Sequence, residues 1–362
     1  LFFINQNTGW LFASNGEYVK TTDKGVSWVR YSFNASHPLR DFFFINENTG
    51  WAVGGTINFA FLDSSRMVIY KTVNGGTNWN LILSDNDLYH ELTSVHFFDE
   101  STGIVFGDGG NESVASGVIR KTTNGGNTWS YLPSYSVNFI QSDINGNLWK
   151  LGYYGDDVGR DTTYVHFSGD RGNSWNVKGV FHKVGFVRDF KVMPERIIIS
   201  ARNDTISFRS IRLTSLNQGI NWSMTVLDSG FHPSYYTFIN MNTGWTTSLS
   251  SIIYKTTNNC ASWVPQLNFA GSVYMFDSLT GIAFGSGGKI YRTQTGGVLN
   301  VQLTTPQTPE NYLLSQNYPN PFNPSTKINY ELPITNYVSI KVYDALGNKV
   351  QTLVNEKQNA GS

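Results

Sequence analysis

Acidic, amide and tryptophan side chains recur at fixed spacing along this sequence, and the recurrence limits the chemistry open to them. The pattern is Ser/Thr-x-Asp/Asn-x-Gly-x-Ser/Thr-Trp. It is complete at 21–28, 122–129 and 168–175, and has Asn in the penultimate slot at 72–79 and 215–222. At 256–263 Cys260 takes the glycine slot, and a degraded copy occupies 293–300. A carboxylate or amide that bonds nearby backbone amides stabilises a tight turn. Glycine supplies a conformation other residues disfavour, and tryptophan buries a large surface. The residues in these roles are Asp23, Gly25 and Trp28, then Asn74, Gly76 and Trp79, then Asn124, Gly126 and Trp129. They continue as Asp170, Gly172 and Trp175, then Asn217, Gly219 and Trp222, then Asn258 and Trp263. A single active site has no use for seven copies of its residues. The pattern is therefore expected to form structural corners, not a reaction centre.

Other residues with chemical potential lie between the corners. The runs 56–66, 108–117 and 153–163 are long and carry Phe59, Phe61, Asp63 and Arg66, then Asp108, Asn111 and Glu112, then Tyr153, Tyr154, Asp156, Asp157, Arg160 and Asp161. Aromatic, acidic and amide groups together suit a glycan, a peptide or a cation. Neither acidic run has the ligand spacing of a known calcium loop, so no metal and no cofactor is expected. Arg40-Asp41-Phe42 and Arg188-Asp189-Phe190 form a second pair of candidates. Their arginines either grip an anion or make local salt bridges. The six histidines (37, 90, 96, 166, 182 and 232) show no metalloprotease pairing, and no nucleophile elbow or phosphate loop stands out. Cys260 reads as a replacement at a turn, not a nucleophile. No enzymatic activity is expected. The rival reading is a carbohydrate-active hydrolase, whose two carboxylates need only converge in space.

The elements that must hold these residues follow from the repeat. Glycine-slot positions fall at 25, 76, 126, 172, 219, 260 and 297. Each unit offers three strand candidates before the corner and one after it, for example FFFINENTGWAVGG (42–55), then VIYKT (68–72). Four short strands per unit of this length is the signature of a propeller blade. Seven units fit within residues 1–303, so the fold is expected to be all-β, a seven-bladed β-propeller. Strands in a blade alternate in direction. Corners joining third to fourth strands therefore share a face with the turns joining first to second. The three long runs join second to third strands in consecutive blades, on the opposite face, and a protein or glycan ligand is expected there.

The 362 residues carry 26 Lys+Arg and 26 Asp+Glu, so the net charge is zero, without the basic footprint of a nucleic-acid binder. No apolar run is long enough for a membrane helix. The single cysteine rules out an internal disulfide. The first ten residues match 42–51 closely, so the chain is read as beginning inside a repeat, with any export signal upstream.

The corner motif resembles that of the Asp-box, or bacterial neuraminidase repeat, propellers. The NTGW and YKTTNGGNTW strings over residues 1–303 look most like the photosystem II stability and assembly factor propellers. That resemblance adds a second rival reading, an envelope complex assembly factor. Sialidases of the wider group carry a Phe/Tyr-Arg-Ile-Pro string that this chain lacks. After a Pro/Thr-rich linker at 304–313, QNYPNPFNPST and KVYDALGNKV resemble the type A C-terminal sorting domain of the type IX secretion system, found in Bacteroidetes and their relatives. The resemblance implies a partial Ig-like β-sandwich over 314–362, export to the cell surface or medium, and the type IX machinery as partner. The final strands of that family are not expected within the chain.

Overall fold

The computed structural model describes residues 1–13, 16–33, 35–56, 66–85, 90–109, 117–132, 137, 139–154, 162–203, 209–269, 271–285, 289–296, 301–304, 312–317, 325–344 and 346–358. Among these there is no helix. The strands form seven four-stranded antiparallel sheets, each ordered as in the sequence, and two small two-stranded sheets. The expectation of an all-β, seven-bladed propeller is borne out.

The chain divides into two compact units. One comprises Leu1–Asn34 and Thr304–Ser362, and so holds blade 1 and the tail. The other, Ala35–Leu303, holds blades 2 to 7. In this second unit the first strands are Leu39–Phe44, His90–Phe97, Phe139–Ser142, Val184–Met193, Pro233–Phe238 and Gly271–Met275. They pack side by side in that order.

Burial grades across each blade. The second strand of blade 2, Gly50–Thr56, is buried at six of seven positions, whereas the fourth strand of blade 5, Ser223–Val226, is exposed throughout. In blade 2 the second strand packs Trp51 and Val53 against blade 3, which is why it reads Gly-Trp-Ala-Val and not as a polar alternation. The core consequently sits between blades. Trp51, Val53, Met67 and Ile69 of blade 2 pack with Leu92, Val95, Phe97, Val105 and Val118 of blade 3. Trp149, Leu151 and Val165 of blade 4 meet Val184, Val187, Phe190 and Ile197 of blade 5.

The corners are closed by short-range hydrogen bonds. In blade 4 the Gly172 amide donates to Ser168 Oγ at 2.8 Å and the Ser174 amide to Asp170 Oδ1 at 2.9 Å. Blades 1, 2, 3, 5 and 6 repeat both bonds with Asp or Asn. Ser174 bonds from side chain and backbone hold the Asp170 carboxyl down at about 2. In blade 7 the Thr295 amide donates to Thr293 Oγ1 at 3.2 Å.

The tail pairs Leu313–Leu314 with Tyr330–Glu331, and Asn336–Tyr343 with Lys349–Gln358. Asp344 turns the longer hairpin by accepting the Leu346 and Asn348 amides. Both faces of that hairpin carry exposed apolar side chains, among them Tyr337, Val342, Leu346 and Val350. A two-stranded hairpin buries too little to be stable alone.

Candidate functional site

The three long runs leave the scaffold from closed ladders. Thr56 pairs with Arg66, Asp108 with Gly117, and Tyr154 with Thr162. Each pairing holds a loop's two ends one strand spacing apart, about 5 Å. Blade 5 adds a further second-to-third connection at 204–209, between Arg196–Asn203 and Ser210–Ser215, that the reading of loop lengths did not single out. Phe59, Phe61, Asp63, Asn111, Glu112, Asp156, Asp157, Arg160 and Asp161 lie outside the described residues, as do the side chains of Asp108, Tyr153 and Tyr154. Arg66 is half-buried, and its charge helps burial lower the His37 pKa.

The two Arg-Asp-Phe strings divide their labour. Each Asp sits at a bulge in the first strand of its blade and turns toward the next blade. Asp41 accepts Ser94 Oγ and the Val95 amide, both at 3.0 Å. Asp189 accepts the Tyr236 amide at 2.6 Å. Burial pushes both carboxyls up, against the pull of those amides. Arg40 turns outward and bridges to Glu91 of blade 3 at 2.9 Å. Arg188 is half-buried, 6.0 Å from the Phe186 ring centroid, and burial, with the Arg202 charge, lowers its pKa. The aspartates thus stitch successive first strands together.

A described recess lies on the other face. It has a volume of about 260 Å³ and is lined by Asp143, Ile144, Asn145 and Asn147 from the first turn of blade 4, Trp149, Phe167 and Lys178 behind it, and Pro194 and Gln218 of blade 5. First-to-second turns and a corner residue form its rim, so it opens on the corner face, opposite the long loops. Asp143 accepts the Asn145 and Asn147 amides, Asn147 Nδ2 and Trp149 Nε1, between 2.9 and 3.3 Å. With those four donors in place the carboxylate holds the turn. Lys178 Nζ sits 5.5 Å from the Phe167 ring centroid, and Gln218 Nε2 donates to Met193 and Pro194 carbonyls. The recess thus offers an ammonium, aromatic rings and amides, a set that can seat a polar group of a partner. The sequence signal was the turn itself, Asp-Ile-Asn-Gly-Asn at 143–147, where blades 2, 3 and 6 carry a Thr-Gly pair. Among the described residues no three His, Cys, Asp or Glu side chains gather as metal ligands would.

Residues 316–361 match the family model of the secretion system C-terminal sorting domain. No curated protein matches the chain in sequence. Among solved structures the chain is similar to YCF48 bound to D1 peptide, with TM-score 0.57 and 13% identity over 82% of this chain and 92% of that one. It is similar to YCF48 from Cyanidioschyzon merolae at TM-score 0.58 and 17% identity, covering 80% and 91%. A GH74 xyloglucanase from Xanthomonas campestris follows at TM-score 0.50 and 13% identity, covering 82% of this chain and 46% of that enzyme. Identities this low establish a shared fold and no shared activity. The chain is thus an all-β, seven-bladed propeller of the fold seen in YCF48, ending in a secretion system sorting domain that directs export through the type IX system to the cell surface or medium.

Proposed function

We propose that the chain is a non-catalytic exported binding module: residues 1–303 form the propeller, 304–313 the linker and 314–362 the export signal. The propeller presents the runs 56–66, 108–117 and 153–163 to a protein or glycan partner at the cell surface. One observation carries this reading. The carboxylates of Asp23, Asp170, Asp41, Asp189 and Asp143 all accept amides that hold turns or neighbouring blades. A retaining or inverting glycosidase needs two carboxylates about 5–10 Å apart and open to substrate. Support for a protein ligand comes from YCF48, bound to a peptide in one of the similar structures.

The test is to probe the purified chain on glycan and protein arrays, then replace each long loop by Asn-Gly. The expected result is a loss of binding of at least about tenfold for one or more replacements, with little change in unfolding midpoint, because the ladder beneath each loop persists. Binding indifferent to all three replacements would count against the reading. Sugar release from xyloglucan by the unmodified chain would favour the hydrolase. Retention with an envelope complex, in place of release to the surface, would favour the assembly factor.

A further inference from the structure

We propose that the boundary between blades 5 and 6 holds a small inorganic anion of halide size, independently of what the loops bind. The boundary is short of acceptors and long on buried donors. Arg196 is 1% exposed. Its Nη1 donates to Asn259 Oδ1 and lies 3.6 Å from Cys260 Sγ. Its Nε and Nη2 are buried and make no hydrogen bond among the described residues. The guanidinium carbon lies 4.4 Å from the Phe238 ring centroid, which offers a π face and no lone pair.

Neighbouring groups share the deficit. Tyr236 is 2% exposed, and its hydroxyl lies beside Ser200 Oγ, which gives its own proton to the Pro233 carbonyl at 2.7 Å. The Trp263 ring lies 5.8 Å from that of Tyr236, and its buried Nε1, like that of Trp175 in blade 4, makes no hydrogen bond among the described residues. Arg212 brings a second guanidinium, which donates to the Cys260 carbonyl at 2.8 Å. On the acidic side, Asp189 is engaged by the Tyr236 amide, and burial keeps the Cys260 thiol protonated.

A buried guanidinium left without a counter-charge is destabilising. A neutral water could accept one of these donors but would leave the charge standing. A monatomic anion accepts from several directions at once and cancels it. The flanking Ile198, Phe238 and Trp263 pack closely, which favours a single atom over phosphate or sulfate.

The probes are chloride and bromide. The full chain is melted in sodium chloride and in sodium gluconate at equal ionic strength. Chloride should raise the unfolding midpoint by a few degrees, saturably, as expected for a ligand that binds only the folded state. Arg196→Met should abolish the dependence and Tyr236→Phe should weaken it. Crystals grown in bromide should show an anomalous peak within about 3.5 Å of Arg196 Nε. A midpoint indifferent to the anion, with no such peak, overturns the proposal, and so does a chloride dependence that survives Arg196→Met. If Arg196→Met does not fold, the bromide peak in the unmodified chain and the Tyr236→Phe melt still decide.

Discussion

Two blade boundaries in the larger unit solve one problem with different residues. Between blades 2 and 3, Trp51 stacks on Phe97 with ring centroids 3.4 Å apart. Trp51 Nε1 and Lys71 Nζ both donate to the Gly125 carbonyl, at 3.3 and 2.9 Å. Blades 6 and 7 repeat this with Trp245, Lys255 and Gly296. At the same register between blades 5 and 6 stand Ile198 and Thr214, which can do neither. There Arg196 and Arg212 reach the corner instead, and Cys260 fills part of the space that the missing indole leaves. A propeller corner is thus specified by what the preceding blade offers it. A glycine slot can accept a side chain when its neighbour shrinks.

The comparison is tested most severely at the indole. Trp51→Ala removes the stack and one corner hydrogen bond, and should cost about 3–5 kcal/mol in denaturant unfolding. Ile198→Ala should cost less, because no corner bond depends on it. Equal losses would break the contrast.

Acid should weaken the blade 2–3 boundary next. His96, between Phe43 and Phe98, has its pKa lowered to about 4 by burial. Its folded value lies below the unfolded one, so the unfolded chain takes up the proton first. Stability is therefore complete above pH 6.5 and declines as pH falls toward 4, by about 2 kcal/mol at pH 4.5. His96→Phe should flatten much of that slope. His166, also near 4 through burial and the Lys150 charge, accounts for a similar share in blade 4. A pH profile unchanged by His96→Phe would show that the ring is not held neutral.

The glycine slots should differ by a smaller margin. Gly126 has φ +95°, and an added Cβ would meet Ile82 Cδ1 at 2.7 Å, so Gly126→Ala should cost about 1–3 kcal/mol. Cys260 has φ 63°, so Cys260→Gly relieves backbone strain while giving up a buried thiol, and should change stability by no more than about 1 kcal/mol. The smallest effect is expected for Asp170→Asn, within about 0.5 kcal/mol at neutral pH, since Asn fills that slot in blades 2, 3, 5 and 6. The unmodified corner should loosen only as pH falls from 3.8 toward 2, and the Asn variant should not.

The number of blades, the corners and the sorting tail could be read from residue order because each rests on local chemistry. Asp170 meets the Ser174 amide four residues away, and such a turn closes in any context that tolerates glycine geometry at 172. The tail was readable for a similar reason, since its strings are contiguous. The joints between blades were not. Trp51 and Gly125 are 74 residues apart, and Arg196 and Cys260 are 64 apart. Whether such residues meet depends on how whole sheets pack. Bulges at Leu39/Asp41 and Val187/Asp189 turn two aspartates toward the next blade, which the strings Arg-Asp-Phe alone do not indicate. The recess by Lys178 and the donor-rich boundary at Arg196 have the same origin. They are spaces between rigid bodies, and no stretch of sequence encodes the distance across them.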